Sequence, residues 1–187
     1  MRAPIVLGLA AAASGCAQIA GLDETSARHD GSIDAPLVRR DAGIDTFMCS
    51  GGDVAMGEPN TGHCYTFYMT AMGRDAARSV CQAAGAHLAR IESAIESTLI
   101  QNLIGAQTLA FLGGNDEGAE GTFVWDDGSQ IVLTNWNTGE PNNGAGMFEE
   151  DCIVMSGPNG GRWDDRPCSA AITTLVPGEY PFVCERP

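Results

Sequence analysis

Positive charge is scarce in this 187-residue chain: lysine is absent, and ten arginines face 24 acidic residues for a formal net charge of −14. Nucleic acids and anionic membrane surfaces are bound through basic patches, so this balance excludes both as partners held by charge. Long apolar runs are missing as well. The run from Ile5 to Ala13 is too short to cross a bilayer, which takes ~20 residues. No Cys-x-x-Cys pair occurs, so thiolate metal binding lacks its close ligand spacing. There is no nucleophile elbow, Walker loop or His/Cys nucleophile pair, and the expectation is that the chain is not an enzyme. Glu149 and Glu150 are adjacent acids in one segment; they cannot flank a glycosidic bond from opposite sides, as a glycosidase requires.

What is present fits a loop-rich globular domain with tails, since 44% of residues are hydrophobic and 24 are glycine. Arg2, the apolar run and Ala13-Ser14-Gly15-Cys16 read as an export signal. Small residues directly before a cysteine resemble the cleavage box of a bacterial lipoprotein, although Ala13 stands where that box usually has leucine. The expectation is a signal over residues 1–16, a lipid on Cys16, and a membrane anchor on the periplasmic face or cell surface. Residues 17–48, punctuated by Asp23, Glu24, Asp30, Asp34, Asp41 and Asp45, read as a flexible acidic linker. Lipidation of Cys16 leaves six of the seven cysteines, an even number suited to three disulfides in an exported chain. Six cysteines allow 15 pairings, and counting does not choose among them.

The domain then covers residues 49–187. Cys64–Tyr68 reads as an aromatic strand. Ala76, Ala77, Val80, Cys81 and Ala84 predict a helix over 72–84, ended by Gly85. Ser93 and Glu96 form a capping box for a second helix that runs to Ile104. Strands are expected at Leu109–Leu112, Thr122–Trp125, Cys152–Met155, Arg162–Trp163 and Phe182–Val183. Between Gly113 and Asn159 turn residues dominate, a loop length that usually carries function. The class is α+β, with two helices packed on short antiparallel β-sheets beside a long loop region.

Within those loops, Glu140-Pro141-Asn142, Glu150-Asp151-Cys152, Trp163-Asp164-Asp165 and Cys168 follow in order. The stretch from Gly139 to Cys168 holds six carboxylates and the amides Asn142 and Asn143. Oxygen donors at this density suit a hard cation such as Ca²⁺, which takes about six to eight oxygens. With Phe111-Leu112-Gly113, the run Asp116 to Gly121, and Asn135-Trp136, the pattern resembles the C-type lectin domain across residues 49–187, in its mannose-type branch.

The resemblance implies a C-type lectin-like fold with disulfides Cys49–Cys64, Cys81–Cys184 and Cys152–Cys168. It also implies a principal calcium on Glu140, Asn142, Glu150, Asp164 and Asp165, with a cis Pro141 aiming its neighbours at the ion. Vicinal hydroxyls of a mannose, glucose, GlcNAc or fucose type of sugar would complete the shell, bonded by Glu140, Asn142, Glu150 and Asp164. An auxiliary calcium would use Asp116, Glu120, Asn143, Glu150 and Asp151. The partner implied is a carbohydrate or glycoconjugate; a protein bound by the same fold, with calcium only stiffening loops, is the alternative.

Two residues depart from the family pattern. Asp164 stands where the family has Asn, and an ionised Asp accepts but cannot donate to sugar. Asn143 stands where an Asp is common, which weakens the auxiliary site. A second tripeptide, Glu58-Pro59-Asn60, has no following Glu-Asp-Cys and reads as a turn, as does Asp126-Asp127-Gly128. Trp125, Trp136 and Trp163 are expected in the core, and His63 and His87 in structural roles.

Overall fold

Three strands carry runs of consecutive apolar residues, and the alternation of a strand sends them to two separate cores. In β4 (Leu109–Asn115), Ala110 and Leu112 enter one core and Phe111 the other. The same division separates Ile153 and Met155 from Val154 in β6 (Cys152–Ser156), and Val183 from Phe182 in β8 (Tyr180–Arg186). Helix α2 (Ala94–Ile104) lays Ile100, Leu103 and Ile104 into the first core. Helix α1 (Arg74–Ala83) lays Ala77 and Cys81 into the second. The computed structural model describes residues 49–106, 108–147, 149–170 and 178–187. The expected signal, lipidated Cys16 and linker 17–48 lie outside the described residues.

The remaining strands are β1 (Val54–Gly57), β2 (Cys64–Met72), β3 (His87–Leu88), β5 (Val124–Trp125) and β7 (Arg162–Arg166). All join one eight-stranded sheet in the order β1-β2-β8-β4-β6-β7, with β3 on β8 and β5 on β4. Where short antiparallel β-sheets were expected the pairing is antiparallel except between β4 and β8, which pair in parallel through Phe111 and Phe182 and make the sheet mixed. Both strands are buried on both faces, so each needs a ladder on either side, and each supplies one to the other.

Helix α1 starts at Arg74 rather than Met72. Met72 still pairs with Tyr180 in the sheet, and Gly73 is extended at the cap. Helix α2 begins at a complete capping box: Glu96 N–H donates to Ser93 Oγ at 3.2 Å, and Ser93 N–H donates to Glu96 Oε2 at 2.9 Å. Glu96 also accepts from the Tyr65 hydroxyl at 3.1 Å, and Glu185 pairs with His63 Nδ1 at 2.7 Å. His63, Glu96 and Glu185 come close enough to share an ion, but each is engaged in these structural bonds. Cys49–Cys64, Cys81–Cys184 and Cys152–Cys168 are disulfides, and each such bridge contributes ~2–4 kcal/mol. Among the described residues no helix is long and apolar enough to cross a membrane.

Candidate metal site

Strand β7 lies at the end of the sheet order, with β6 along one side and a parallel bridge from Trp163 to Trp136 on the other. Its buried Trp163 anchors the loop beside it: Trp163 N–H donates to Asn135 O and Asn137 N–H donates to Trp163 O, both at 2.8 Å. Trp136 packs edge-on against Trp163 with ring centroids 5.8 Å apart, and Trp125 packs edge-on against Trp163 at 5.9 Å. Trp125 and Trp163 are core residues, while Trp136 is only partly buried. The chain thus reaches Gly139 and Glu140 held against β7, and the Glu140–Pro141 peptide is cis.

From there Asp165 organises the loop. Its carboxylate accepts from Asn142 N–H at 2.9 Å and Asn143 N–H at 2.7 Å. Gly144 N–H donates to Glu150 Oε2 at 2.6 Å, and Glu150 N–H donates to Asn143 Oδ1 at 2.7 Å. Asn142 Oδ1 accepts from Ala145 N–H at 2.7 Å, while its amide nitrogen donates to Glu140. Asn143 and Ala145 hold left-handed φ angles of 47° and 54°. Non-glycine residues hold that conformation when surrounding bonds over-determine it, and functional loops concentrate it.

Glu140, Asp164 and Asp165 each offer a carboxylate oxygen within 4.8 Å of the others. Burial pushes the Glu140 carboxyl up to about 7, and the charges of Asp164 and Asp165 add to the rise. Burial also raises Asp164 and Glu150, with Arg166 working against both shifts. Glu150 is 4% exposed and Asp165 1%, so these charges are held where water screens them poorly. The five residues expected around one ion, Glu140, Asn142, Glu150, Asp164 and Asp165, therefore form one connected oxygen-rich patch. An oxygen-only donor set under mutual repulsion fits a hard divalent cation.

A second acidic group lies next to it. Glu120, Glu149 and Asp151 bring carboxylate oxygens within 4.8 Å of one another. Asp116 is 3% exposed, with Oδ2 accepting from Gly121 N–H at 2.7 Å and Oδ1 buried without a partner. Burial pushes its carboxyl up to about 6, aided by the charges of Glu120 and Asp151. That orphaned oxygen is the position a cation would satisfy. Glu120 and Asp151 belong to this group and their charges reach Asp116, whereas Asn143 Oδ1 and Glu150 Oε2 are tied into the loop bonds above. A cavity of about 250 Å³ is lined by residues of both groups, among them Glu120, Pro141, Asn142, Asn143 and Asp165.

Sequence reasoning missed two participants. Glu149 stands in the second group; its place beside Glu150-Asp151 was the available signal. Arg166 donates from Nη2 to Asp164 and sets Nη1 3.6 Å from Glu150. Its spacing two residues beyond Asp164 on one strand could have placed the pair on the same face.

The family model for the lectin C-type domain matches residues 70–186. The human protein C-type lectin domain family 17, member A, is 34% identical over 175 residues, covering 92% of this chain and 42% of the relative. The chain therefore spans less than half the length of that curated relative. The carbohydrate-recognition domain of cow CD23, solved in the presence of a GlcNAc2Man3 oligosaccharide, is 30% identical with a TM-score of 0.56, covering 66% of this chain and 87% of its own. A calcium-independent type II antifreeze protein is 27% identical with a TM-score of 0.56, over 66% of this chain and 85% of its own.

Proposed function

The chain belongs to the C-type lectin domain family, and from that premise we propose that residues 49–187 bind carbohydrate through calcium held by the loops around β7. The observation that carries this reading is the convergence of Glu140, Asp164 and Asp165, with Asn142 and Glu150 bonded into the same patch. Glu140, Asn142, Glu150, Asp164 and Asp165 would hold the principal ion. When bound, it would offer open coordination positions to vicinal sugar hydroxyls and cancel the repulsion among the carboxylates. Glu140, Asn142, Glu150 and Asp164 orient the sugar by accepting from its hydroxyls, and Asn142 can also donate. Glu140-Pro141-Asn142 favours equatorial hydroxyls of the mannose, glucose, GlcNAc and fucose type. Asp116, Glu120 and Asp151, now with Glu149, would hold an auxiliary ion that stiffens the loop. Domains of this family are generally binding modules rather than enzymes.

Glycan-array binding that EGTA abolishes and free mannose blocks is the expected result. A signal indifferent to both overturns it. The fold alone does not dictate sugar binding, since a calcium-independent antifreeze protein shares it. The second reading is therefore a protein-binding module on the same fold, and a pull-down insensitive to free monosaccharide would favour it. The proposal further includes export with a lipid on Cys16, residues 17–48 serving as tether from a bacterial membrane. Intact mass should find an acylated Cys16 and no free thiol; a Cys16→Ala variant that stays membrane-bound overturns the anchor.

A further inference from the structure

Arg166 is, among the described residues, the one basic side chain paired with carboxylates of the principal patch. Its backbone is fixed from two sides: it pairs with Cys152 in the β6–β7 ladder, and the Cys152–Cys168 disulfide closes the chain two residues later. Asp164 and Arg166 share a strand face, and Nη2 donates to Asp164 Oδ2. Nη1 stands 3.6 Å from Glu150 Oε1, on the segment that leads into β6. The guanidinium thus bridges two carboxylates, one on β7 and one on the segment before β6. Its side chain is 31% exposed, with Nε buried and without a hydrogen-bond partner, so the two carboxylates are the groups that position it.

Glu140, Glu150, Asp164 and Asp165 would carry four negative charges, one more than with an Asn at 164; Arg166 returns one positive charge. An arginine fork cannot lose its proton and binds carboxylates through fixed N–H directions. Each lone pair it occupies on Asp164 is unavailable to another cation, and its charge repels one.

We infer that Arg166 is a resident counter-cation of the principal site: it holds Asp164 and Glu150 together in the calcium-free protein and competes with calcium for them. Asp164 and Arg166 then act as a pair, the added acid drawing the ion in and the arginine setting how much calcium is needed to fill the site. This positioning role rests on the calcium reading above, and it makes the calcium-free loop folded rather than splayed by like charge.

The test uses the full chain with Arg166→Gln and Arg166→Lys, titrated with calcium chloride by calorimetry and melted in EDTA. Arg166→Gln should bind calcium ~10-fold more tightly, the lower end of what one hydrogen bond to a charged group removed from competition is worth. Its melting midpoint in EDTA should fall, so the gap between chelated and calcium-loaded midpoints widens. Arg166→Lys keeps the charge without the fork and should lie between. Should Arg166→Gln fold poorly in EDTA, Arg166→Lys alone still has to tighten calcium binding relative to wild type. A merely structural arginine would lower both midpoints and leave the affinity unchanged or weaker, and that outcome overturns the inference. A wild-type chain that takes up no calcium overturns the parent reading instead, and this one with it.

Discussion

Glu58-Pro59-Asn60 and Glu140-Pro141-Asn142 are one tripeptide in two electrostatic surroundings. In both, the Asn amide nitrogen donates to its own Glu. Beyond that they diverge. Glu58 Oε2 accepts from Thr61 N–H at 2.6 Å and Oε1 from Asn60 N–H at 3.2 Å, closing a turn. Hydrogen bonding from Thr61 does most to hold its carboxyl down to about 2, against the opposing effect of burial. Glu140 instead faces two aspartates brought by β7, and its carboxyl stands at about 7. The tripeptide is therefore not a site. The strand that the fold sets beside it makes it one.

The largest test of that contrast replaces each tripeptide in turn. Glu140→Ala with Asn142→Ala should weaken calcium binding by ~100-fold or more, since even indirect partners of metal ligands are worth ~10–100-fold. Glu58→Ala with Asn60→Ala should leave the calorimetric titration unchanged and lower only the thermal midpoint. Equal titrations for the two double variants would erase the distinction.

Acidity separates the two glutamates by sign. Glu140, raised to about 7 from an ordinary 4.5, binds more proton in the calcium-free folded state than in the unfolded one across that interval. Stability in EDTA should therefore decline as pH rises from 4.5 through 7. Glu58, lowered to about 2, contributes stability that is present above 4.5 and lost as pH falls through 2. Calcium must displace the proton on Glu140, so affinity should fall by up to ~10-fold per pH unit below 7. Calorimetry across pH 5–8 and EDTA melts of Glu140→Gln check this; a Glu140→Gln variant with the wild-type slope would move the effect to another group, with Asp116 at about 6 the next candidate.

Much of this architecture is legible from residue order, for identifiable reasons. The capping box Ser93/Glu96 is a local signal, and it marks the start of α2. The apolar runs of β4, β6 and β8 announce burial, though not their partners. The parallel β4–β8 pairing depends on long-range topology, and β3 is two residues whose only reason to be extended is the ladder with β8. Strand β1 was hidden for the same reason, since it exists by pairing with β2. At the site, the motif named the acids, but neither composition nor spacing showed that Arg166 reaches back to Asp164 while Glu149 turns to the other group. Those contacts depend on side-chain direction, which periodicity constrains only to a face.

Asp164 gives the smallest effect and the finest discrimination, because it is part of what makes Glu140 unlike Glu58. Its charge follows burial among the causes that raise Glu140, so Asp164→Asn should lower the Glu140 carboxyl and flatten the pH slope. The amide restores a donor to sugar while keeping one oxygen for the ion. Affinity for mannose-type ligands should rise by about 1 kcal/mol, the size of one net hydrogen bond. Calcium affinity should fall, because a full charge leaves the patch while Arg166 keeps its approach to Glu150. Arg166→Gln is expected to move calcium affinity the other way, and since the two side chains are bonded, the double variant should not be the sum of the singles. Additive effects would separate Asp164 from Arg166. Unchanged calcium and sugar binding in Asp164→Asn would remove Asp164 from the patch and leave Glu140 with Asp165 as its principal acidic neighbour.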